Sequence, residues 1–346
     1  MVRLGAGGGL AVSTVFATAG FAAVSGASTA TAAVFSRVAI PEMLRYNYSP
    51  RLAAGVVAAG GTLASLIPPS AILVIYAIIV EQSIGRLLIA GFIPGVVSAL
   101  IYAALIIFMA MRNPEMGPAV GGFTWGERIK SLPGTFPVVF VIVTIFFSMY
   151  AGWATPTEAG AVGSFVVFVM ALVGGMKWPT LREALLETAR LAVMIFSLVW
   201  GVLIYVRFMG YAELPAVFAD WVVNLPLPPL VTMICILLFY VILGMFMDAI
   251  GMLLLTLPVV YPAVIGLGYD PIWFGIVVVK MAEVCLITPP IGLNCYVVAG
   301  VRPDIPLQEV FRGIGPFFIA DVITLGVFLA WPEVITWLPD LMINPT

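Results

Sequence analysis

Apolar runs occupy most of this chain, and short polar or charged links separate them. About 20 apolar residues are needed to cross the roughly 30 Å hydrocarbon core of a bilayer. Runs of that order lie at 52–80, 87–111, 132–155, 159–176, 191–206, 230–247, 249–268, 272–301 and 317–337. The pattern predicts an all-α polytopic membrane protein, because only helices and closed barrels satisfy their backbone polar groups inside lipid.

Two of these runs are interrupted by a proline pair, as LIPPSA at 66–71 and as LITPPIG at 286–292. Proline removes a backbone N–H and clashes with an upstream carbonyl, so it breaks a helix. A bilayer tolerates freed backbone groups only where they are buried in protein or line a cavity. Paired breaks in corresponding halves therefore indicate a substrate or ion site near the midplane, as in secondary transporters.

Basic residues orient the predicted helices, since Lys and Arg accumulate in cytoplasmic loops. Four clusters of basic residues fall on one side only if residues 4–36 and 230–268 form re-entrant hairpins, which enter from the cytoplasm and from outside respectively. Residues 213–220 are then a loop on the outer side. The clusters are Arg37, Arg45 and Arg51; Arg112, Arg128 and Lys130; Lys177, Arg182 and Arg190; and Arg302 with Arg312.

The two halves align in opposite orientations. Pro289 follows Pro68 by 221 positions, and the same offset takes Ala27, in the first hairpin tip SGAST, to Asp248, in the second tip GMFMD. The two hairpin tips therefore correspond to each other, and so do the two helix breaks. The sequence predicts inverted repeats, each with a re-entrant helical hairpin and a Pro-broken transmembrane helix.

Composition excludes several classes of function. With 62% apolar and 9% charged residues and a net charge of −2, the chain has no basic surface for nucleic acid. It contains no His, which excludes His zinc sites and Ser-His dyads, and its three cysteines lie in apolar runs. An intramembrane hydrolase using Ser25 would lack a base. No Walker A motif is present, so an ion gradient is the expected energy source.

Several ordered segments carry a family resemblance. They are SGAST, GGTLASLIPPS at 60–70, SIGRLLIAGFIPG at 83–95, ATPTEAGAVG at 154–163, the segment 244–262, and ITPPIGLN at 287–294. The chain resembles, over nearly its whole length, the large membrane subunit of tripartite ATP-independent periplasmic (TRAP) transporters, of the DctM or SiaM type. The resemblance implies an ion-transporter-like fold in the bacterial inner membrane. It also implies that transmembrane helices which precede the first hairpin in the family are missing from this chain.

The expected mechanism is an elevator-type movement. Residues 1–111 and 230–339 are predicted to form the transport domain, 112–229 the scaffold, and 340–346 a tail. The resemblance implies two protein partners, a small DctQ-type membrane subunit and a periplasmic DctP-type binding protein. The implied substrates are organic-acid anions such as C4-dicarboxylates, sialic acid or uronates. The alternative is a stand-alone ion-coupled dicarboxylate symporter, which needs no binding protein.

A first sodium site is predicted where the first hairpin meets the first break. Hydroxyls and freed carbonyls are hard oxygen ligands without fixed charge, which suits a monovalent cation that must bind and be released. Alternatively, small residues here only allow helices to approach closely. The candidate residues, with sodium as the coupling ion and no other cofactor, are Ser25, Gly26, Ser28, Ala64, Ile67 and Pro69.

A second sodium site follows from the offset of 221. Its candidate residues are Gly244, Asp248, Cys285, Thr288 and Pro290. An isolated intramembrane carboxylate is expensive unless it faces a cavity or a partner. Asp248 is therefore either the N-cap of a helix that begins at the hairpin turn or a residue of the ion site, and backbone ligation near it is favoured over ligation by its side chain.

Substrate is expected between these sites. Helix N-termini after the breaks offer N–H groups and a positive dipole end to a carboxylate. The candidate contacts there are Ser70, Gly292 and Asn294.

Two local pairings are also predicted. Lys280 and Glu283 share a helix face and favour a salt bridge over a substrate-binding lysine. Thr155, Pro156 and Glu158 match a capping box at a helix start.

Overall fold

The computed structural model describes residues 7–120 and 125–341, and this part of the chain forms helices and contains no strand. The helices, in chain order, are α1 (Gly9–Ser25), α2 (Ser28–Arg45), α3 (Pro50–Thr62), α4 (Ala71–Ile79), α5 (Ile84–Arg112), α6 (Trp125–Tyr150), α7 (Pro156–Val173), α8 (Trp178–Tyr211), α9 (Leu214–Val223), α10 (Pro229–Gly244), α11 (Ala249–Gly266), α12 (Pro271–Ile287), α13 (Leu293–Val301), α14 (Leu307–Ala330) and α15 (Glu333–Asp340).

The first five helices contain a hairpin and a broken helix. Helices α1 and α2 pack against each other and are joined at Gly26 and Ala27. A 3₁₀ turn at Leu63–Ser65 follows α3, and the chain stays non-helical until α4 begins. The hairpin extends beyond the predicted limit of residue 36, since α2 continues to Arg45. The charged side chains near its end are not buried, so they do not prevent the helix from continuing. Residues 4–6 of the predicted hairpin lie outside the described residues.

Helices α10 to α14 repeat this order of elements. The α10–α11 hairpin turns at residues 245–248, and the chain between α12 and α13 is non-helical. The Pro68–Pro69 and Pro289–Pro290 peptide bonds are both cis. Proline breaks both helices because it lacks the N–H that the next turn needs.

The two broken helices lie in the interior. Every residue of α3 from Leu52 to Thr62 is buried, and every residue of α12 from Ile272 to Ile287 is buried. The halves also exchange contacts: α13 packs on α2 and α3, and α4 packs on α11 and α12. Both breaks are therefore enclosed by elements from both halves.

The crossing of α3 and α14 depends on two glycines. A Cβ built on Gly55 would lie 2.5 Å from the carbonyl oxygen of Gly313. A side chain at either position would separate the helices, since small residues are what allow membrane helices to approach this closely.

The connecting segment differs from its sequence prediction in two places. The apolar run at 191–206 is the centre of α8, whose 34 residues span about 51 Å and exceed the hydrocarbon thickness. Residues 213–220 were predicted as a loop but are mostly helical, because Pro215 fits the first turn of α9 and α9 packs against α11.

Five helices in the described part are long and apolar enough to cross a membrane, by length and composition alone. They are α5, α7, α8, α11 and α14. The protein is therefore a multi-pass membrane protein.

The C-terminal part also departs from the predicted run at 317–337. Helix α14 ends at Ala330 and α15 begins at Glu333, because Pro332 disfavours helical geometry in the residue before it. In the loop before α14, the Arg302 guanidinium forms two bonds with Asp304, of 2.8 and 2.5 Å, and these hold the pKa of the Asp304 carboxyl below its usual value. Residues 342–346 of the predicted tail lie outside the described residues.

Candidate functional site

The first hairpin tip contacts the first helix break. The hydroxyl oxygens of Ser28 and Ser65 are 2.8 Å apart, although the two residues belong to separate elements. Gly26 has a left-handed backbone with φ +60°, and a Cβ built there would overlap the carbonyl oxygen of Pro69. Only glycine combines this backbone conformation with so close an approach. The structure thus brings together three of the predicted site 1 residues, Gly26, Ser28 and Pro69.

Further hydroxyls gather at this contact. Ser25 Oγ lies 2.9 Å from Thr31 Oγ1, which in turn donates to the Ala27 carbonyl. Ala64 and Ile67 are buried at the break itself. Sequence reasoning missed Thr31 and Ser65, although Ser65 lies three residues before the proline pair, in the segment that the break leaves non-helical. The arrangement offers neutral oxygen atoms at a buried point, which is the chemistry a monovalent cation accepts.

Ser70 closes the first break. It is the N-cap of α4, and its hydroxyl accepts from the Leu73 N–H at 3.4 Å and donates to the Ser65 carbonyl oxygen. This side chain therefore satisfies two backbone groups that the break would leave open.

The second hairpin meets the second break through an apolar contact. A Cβ built on Gly244 would lie 2.6 Å from Cys285 Cβ, so the end of α10 rests directly on α12. Cys285 Sγ points to the Tyr240 carbonyl oxygen at 3.8 Å. Thr288 Oγ1 donates to the Val284 carbonyl oxygen at 2.6 Å, one turn back in α12. Gly244 and Cys285 are in contact, whereas Thr288 is bonded within its own helix.

Asp248 occupies the turn of the second hairpin. Its Oδ2 accepts from the Ile250 N–H at 3.1 Å, so Asp248 is the N-cap of α11, which is one of the two roles expected. Its side chain is exposed, as is Pro290 in the second break. In the structure, therefore, the residues predicted for the second sodium site are more exposed than those predicted for the first.

Asn294 joins the second half to the first. Its side chain is fully buried, Nδ2 donates to the Ala58 carbonyl oxygen at 3.1 Å, and Oδ1 has no partner among the described residues. A Cβ built on Gly61 would lie 3.1 Å from both Asn294 Nδ2 and the Ser28 carbonyl oxygen. Gly292, with a left-handed φ of +50°, precedes α13 and sets the direction in which this helix begins. The start of α13 therefore lies beside the first hairpin.

The predicted pairing of Lys280 and Glu283 is confirmed, with Nζ and Oε2 2.6 Å apart. Lys280 Nζ also lies 2.7 Å from Asp321 Oδ1 on α14, and this second partner was not predicted. All three side chains have no exposed surface. The sequence did contain a signal that could have identified Asp321. It is the only charged residue in the apolar stretch 317–331. Charged residues inside a membrane mark functional sites by default.

The capping box at α7 is confirmed as well. Thr155 Oγ1 accepts from the Glu158 N–H, and Glu158 Oε2 accepts from the Thr155 N–H at 2.7 Å. These bonds explain the two residues as helix-start elements.

Two hairpins packed on two broken helices, enclosed in an all-helical multi-pass protein, define a membrane protein of the kind that moves solutes. The sequence family described as "Tripartite ATP-independent periplasmic transporter, DctM component" matches residues 5–334. The chain belongs to this family. It is a transporter permease and not an enzyme, since its relatives are permease subunits.

Characterised relatives share about a third of the residues. The C4-dicarboxylate TRAP transporter large permease protein DctM of Pseudomonas aeruginosa is 34% identical over 335 residues, which cover 96% of this chain and 78% of that one. The sialic acid TRAP transporter large permease protein SiaM of Vibrio cholerae is 30% identical, over 94% and 76% of the two chains. The 2,3-diketo-L-gulonate TRAP transporter large permease protein YiaN of Escherichia coli is 31% identical, over 98% and 78%.

A solved structure supports the fold. The YdaH transporter of Alcanivorax borkumensis, described as having an unusual topology, superposes with a TM-score of 0.52. The match covers 96% of this chain and 86% of that one at 15% identity, so it bears on the fold alone.

Proposed function

We propose that this chain is the large permease subunit of a sodium-coupled secondary transporter that imports organic-acid anions. The observation that carries the proposal is the buried contact between the first hairpin tip and the first break, where Ser28 and Ser65 share a hydrogen bond of 2.8 Å. Neutral oxygens at the junction of two separate elements are suited to an ion whose binding must be reversible.

Two sodium sites follow from this arrangement. The first would use the hydroxyls of Ser25 and Ser28 with backbone oxygens around Ala64, Ile67 and Pro69; the close approach of Gly26 to Pro69 supports it. The second would use backbone oxygens near Gly244, Thr288 and Pro290, beside Asp248 and Cys285. The contact between Gly244 and Cys285 supports this second site, because it holds hairpin against break as in the first half.

The substrate would bind at the starts of α4 and α13, near Ser70, Gly292 and Asn294. Both helices begin directly after a break, so their N-termini carry free N–H groups and the positive end of the helix dipole. Relatives are named for C4-dicarboxylates, sialic acid and 2,3-diketo-L-gulonate, all of which carry carboxylates. This shared group favours a carboxylate substrate for this chain.

The two halves would be inverted repeats that move as one transport domain. The offset of 221 relates the starts of α3 and α12, Pro50 and Pro271, and the exchanged contacts of α4 and α13 are those that a two-fold relation produces. Elevator movement of residues 1–111 and 230–339 against a scaffold of 112–229 would then expose the site alternately to each side.

Two protein partners complete the proposal. The family name describes a tripartite periplasmic system, and the proposed partners are a small membrane subunit beside the scaffold and a periplasmic binding protein that delivers substrate. The proposed location is the bacterial inner membrane.

Uptake into proteoliposomes tests this function. The chain would be reconstituted with the small membrane subunit, and radiolabelled C4-dicarboxylate or sialic acid would be added with the binding protein outside. We expect uptake only when both the binding protein and an inward sodium gradient are present. Uptake without sodium would contradict the coupling, and uptake without the binding protein would contradict the tripartite assignment.

A further inference from the structure

A second polar cluster lies outside the sodium and substrate groups. Lys280 on α12 is bonded to Glu283 on the same helix and to Asp321 on α14, at 2.6 and 2.7 Å. With Lys280 protonated and both carboxyls ionised, the cluster carries one positive and two negative charges. None of the three side chains has exposed surface, so the cluster would carry one surplus negative charge in the interior.

Such an uncompensated charge is expensive. An ionised group buried in a low-dielectric interior without a counter-charge generally becomes neutral instead. Lys280 and Glu283 are three residues apart on one helix and neutralise each other. Asp321, on α14, adds a second carboxyl to this pair, so two carboxyls share one ammonium group.

The groups that face Asp321 come from each helix packed on α14. Helix α5 contributes Tyr102, whose hydroxyl donates to Asp321 Oδ1 at 2.6 Å, and α12 contributes Lys280 and Glu283. Helix α3 carries one charged residue, Arg51, whose guanidinium donates to the Arg312 carbonyl oxygen.

Helix α13 adds no charge, because Leu293–Val301 contains no charged residue. Its two titratable side chains are engaged elsewhere: Cys295 Sγ points to the Ile287 carbonyl oxygen, and the Tyr296 ring packs against Phe311. Lys280 is therefore the one cation near Asp321 among the described residues, and Glu283 already pairs with it.

Each carboxyl of the cluster has one bonded and one unbonded oxygen. Asp321 Oδ1 receives the Tyr102 and Lys280 bonds and Glu283 Oε2 receives a Lys280 bond, whereas Asp321 Oδ2 and Glu283 Oε1 are buried and have no partner among the described residues. A proton on either unbonded oxygen therefore leaves the existing bonds in place and removes the surplus charge.

We propose that this cluster is a proton-binding site: at neutral pH the Asp321 and Glu283 carboxyls together hold one proton, which makes the cluster with Lys280 and Tyr102 neutral. This inference does not depend on the identity of the substrate or on sodium coupling. It gives the protein a bound proton at the crossing of α5, α12 and α14, separate from the groups at the hairpin tips.

Infrared spectroscopy of the purified full chain in liposomes at neutral pH tests the site. We expect a carbonyl band of a protonated carboxylic acid that shifts when the protein is labelled with side-chain carbon-13 aspartate or with side-chain carbon-13 glutamate. The other five aspartates are exposed; they are Asp220, Asp248, Asp270, Asp304 and Asp340. Asp321→Asn should remove the band completely.

Two variants serve as comparisons. Glu283→Gln should remove the band, because it leaves a single carboxyl for Lys280 and therefore no surplus charge. Thr324→Val should keep the band, because Thr324 is buried on α14 and, among the described residues, bonds to the Ala320 carbonyl oxygen of its own helix, at 2.8 Å. The labelling experiment uses the unaltered protein and so decides the question even if Asp321→Asn does not fold. A band absent from the unaltered protein, or one that neither labelled aspartate nor labelled glutamate shifts, would overturn the proposal.

Discussion

Ser28 and Ser65 show at the residue scale how the first hairpin is held. Their hydroxyls are within 2.8 Å of each other, and Ser65 also offers its carbonyl oxygen to Ser70. A cation at this point would be ligated by the oxygens of both serines, in place of their mutual hydrogen bond. It would draw the hairpin tip and the break together. Ion binding and closure of the hairpin are then the same event.

Ser28→Ala tests this residue. Loss of one neutral oxygen partner costs about 1–2 kcal/mol, which corresponds to a roughly 5- to 30-fold higher sodium concentration for half-maximal uptake. Ser36→Ala is the matched control, because Ser36 is buried on the same helix and bonds only to the Ala32 carbonyl oxygen. Equal sodium dependence in the two variants would remove Ser28 from the site.

At this scale the sequence predicted local partners and missed distant ones. The capping box at Thr155 and the Lys280–Glu283 pair lie within one helical turn, so spacing alone predicts them. Asp321 is 41 positions from Lys280, and their contact depends on how α12 crosses α14. Spacing carries no information about such a crossing.

Among the elements, a glycine near each hairpin turn contacts the broken helix of its own half. Gly26 lies against Pro69 in the first break, and Gly244 lies against Cys285 in α12. The offset of 221 does not relate these two contacts, but neither of them leaves room for a further side chain.

Gly244→Ala should therefore lower stability. Overpacking of a filled contact typically costs about 1–3 kcal/mol, so we expect a lower unfolding temperature in detergent. Gly251→Ala is the control, since nothing lies within 4 Å of a Cβ built there on α11. If Gly244→Ala is as stable as Gly251→Ala, the second hairpin is not seated on α12 as the structure has it.

Element prediction succeeded where a chemical signal was local. The proline pairs fix both breaks, and the hairpin turns fall within the predicted tips. Helix α9 was missed because residues 213–220 lie between the apolar runs 191–206 and 230–247 and were assigned to a loop, whereas packing on α11 stabilises the segment as a helix. Packing of this kind is invisible in a single sequence.

For the whole molecule, the proposed inverted relation of the halves makes a prediction about sidedness. Asn47 lies in the exposed link between α2 and α3, and Ile265 lies in the exposed last turn of α11, near the equivalent link before α12. If the repeats are inverted, these positions face opposite sides of the membrane.

Cysteine labelling measures this arrangement. With the exposed Cys235 replaced by alanine, an impermeant thiol reagent should label Ile265→Cys in intact cells and Asn47→Cys only in inside-out vesicles. Labelling of both positions from one side would contradict the inverted repeat.

We propose that sodium moves with the substrate through this chain. Radioactive sodium entry can be measured during binding-protein-dependent uptake of a labelled organic acid into proteoliposomes. We expect sodium to enter together with the acid at a fixed ratio, and Ser28→Ala to require more sodium to reach the same rate. Uptake of the acid without accompanying sodium would contradict it.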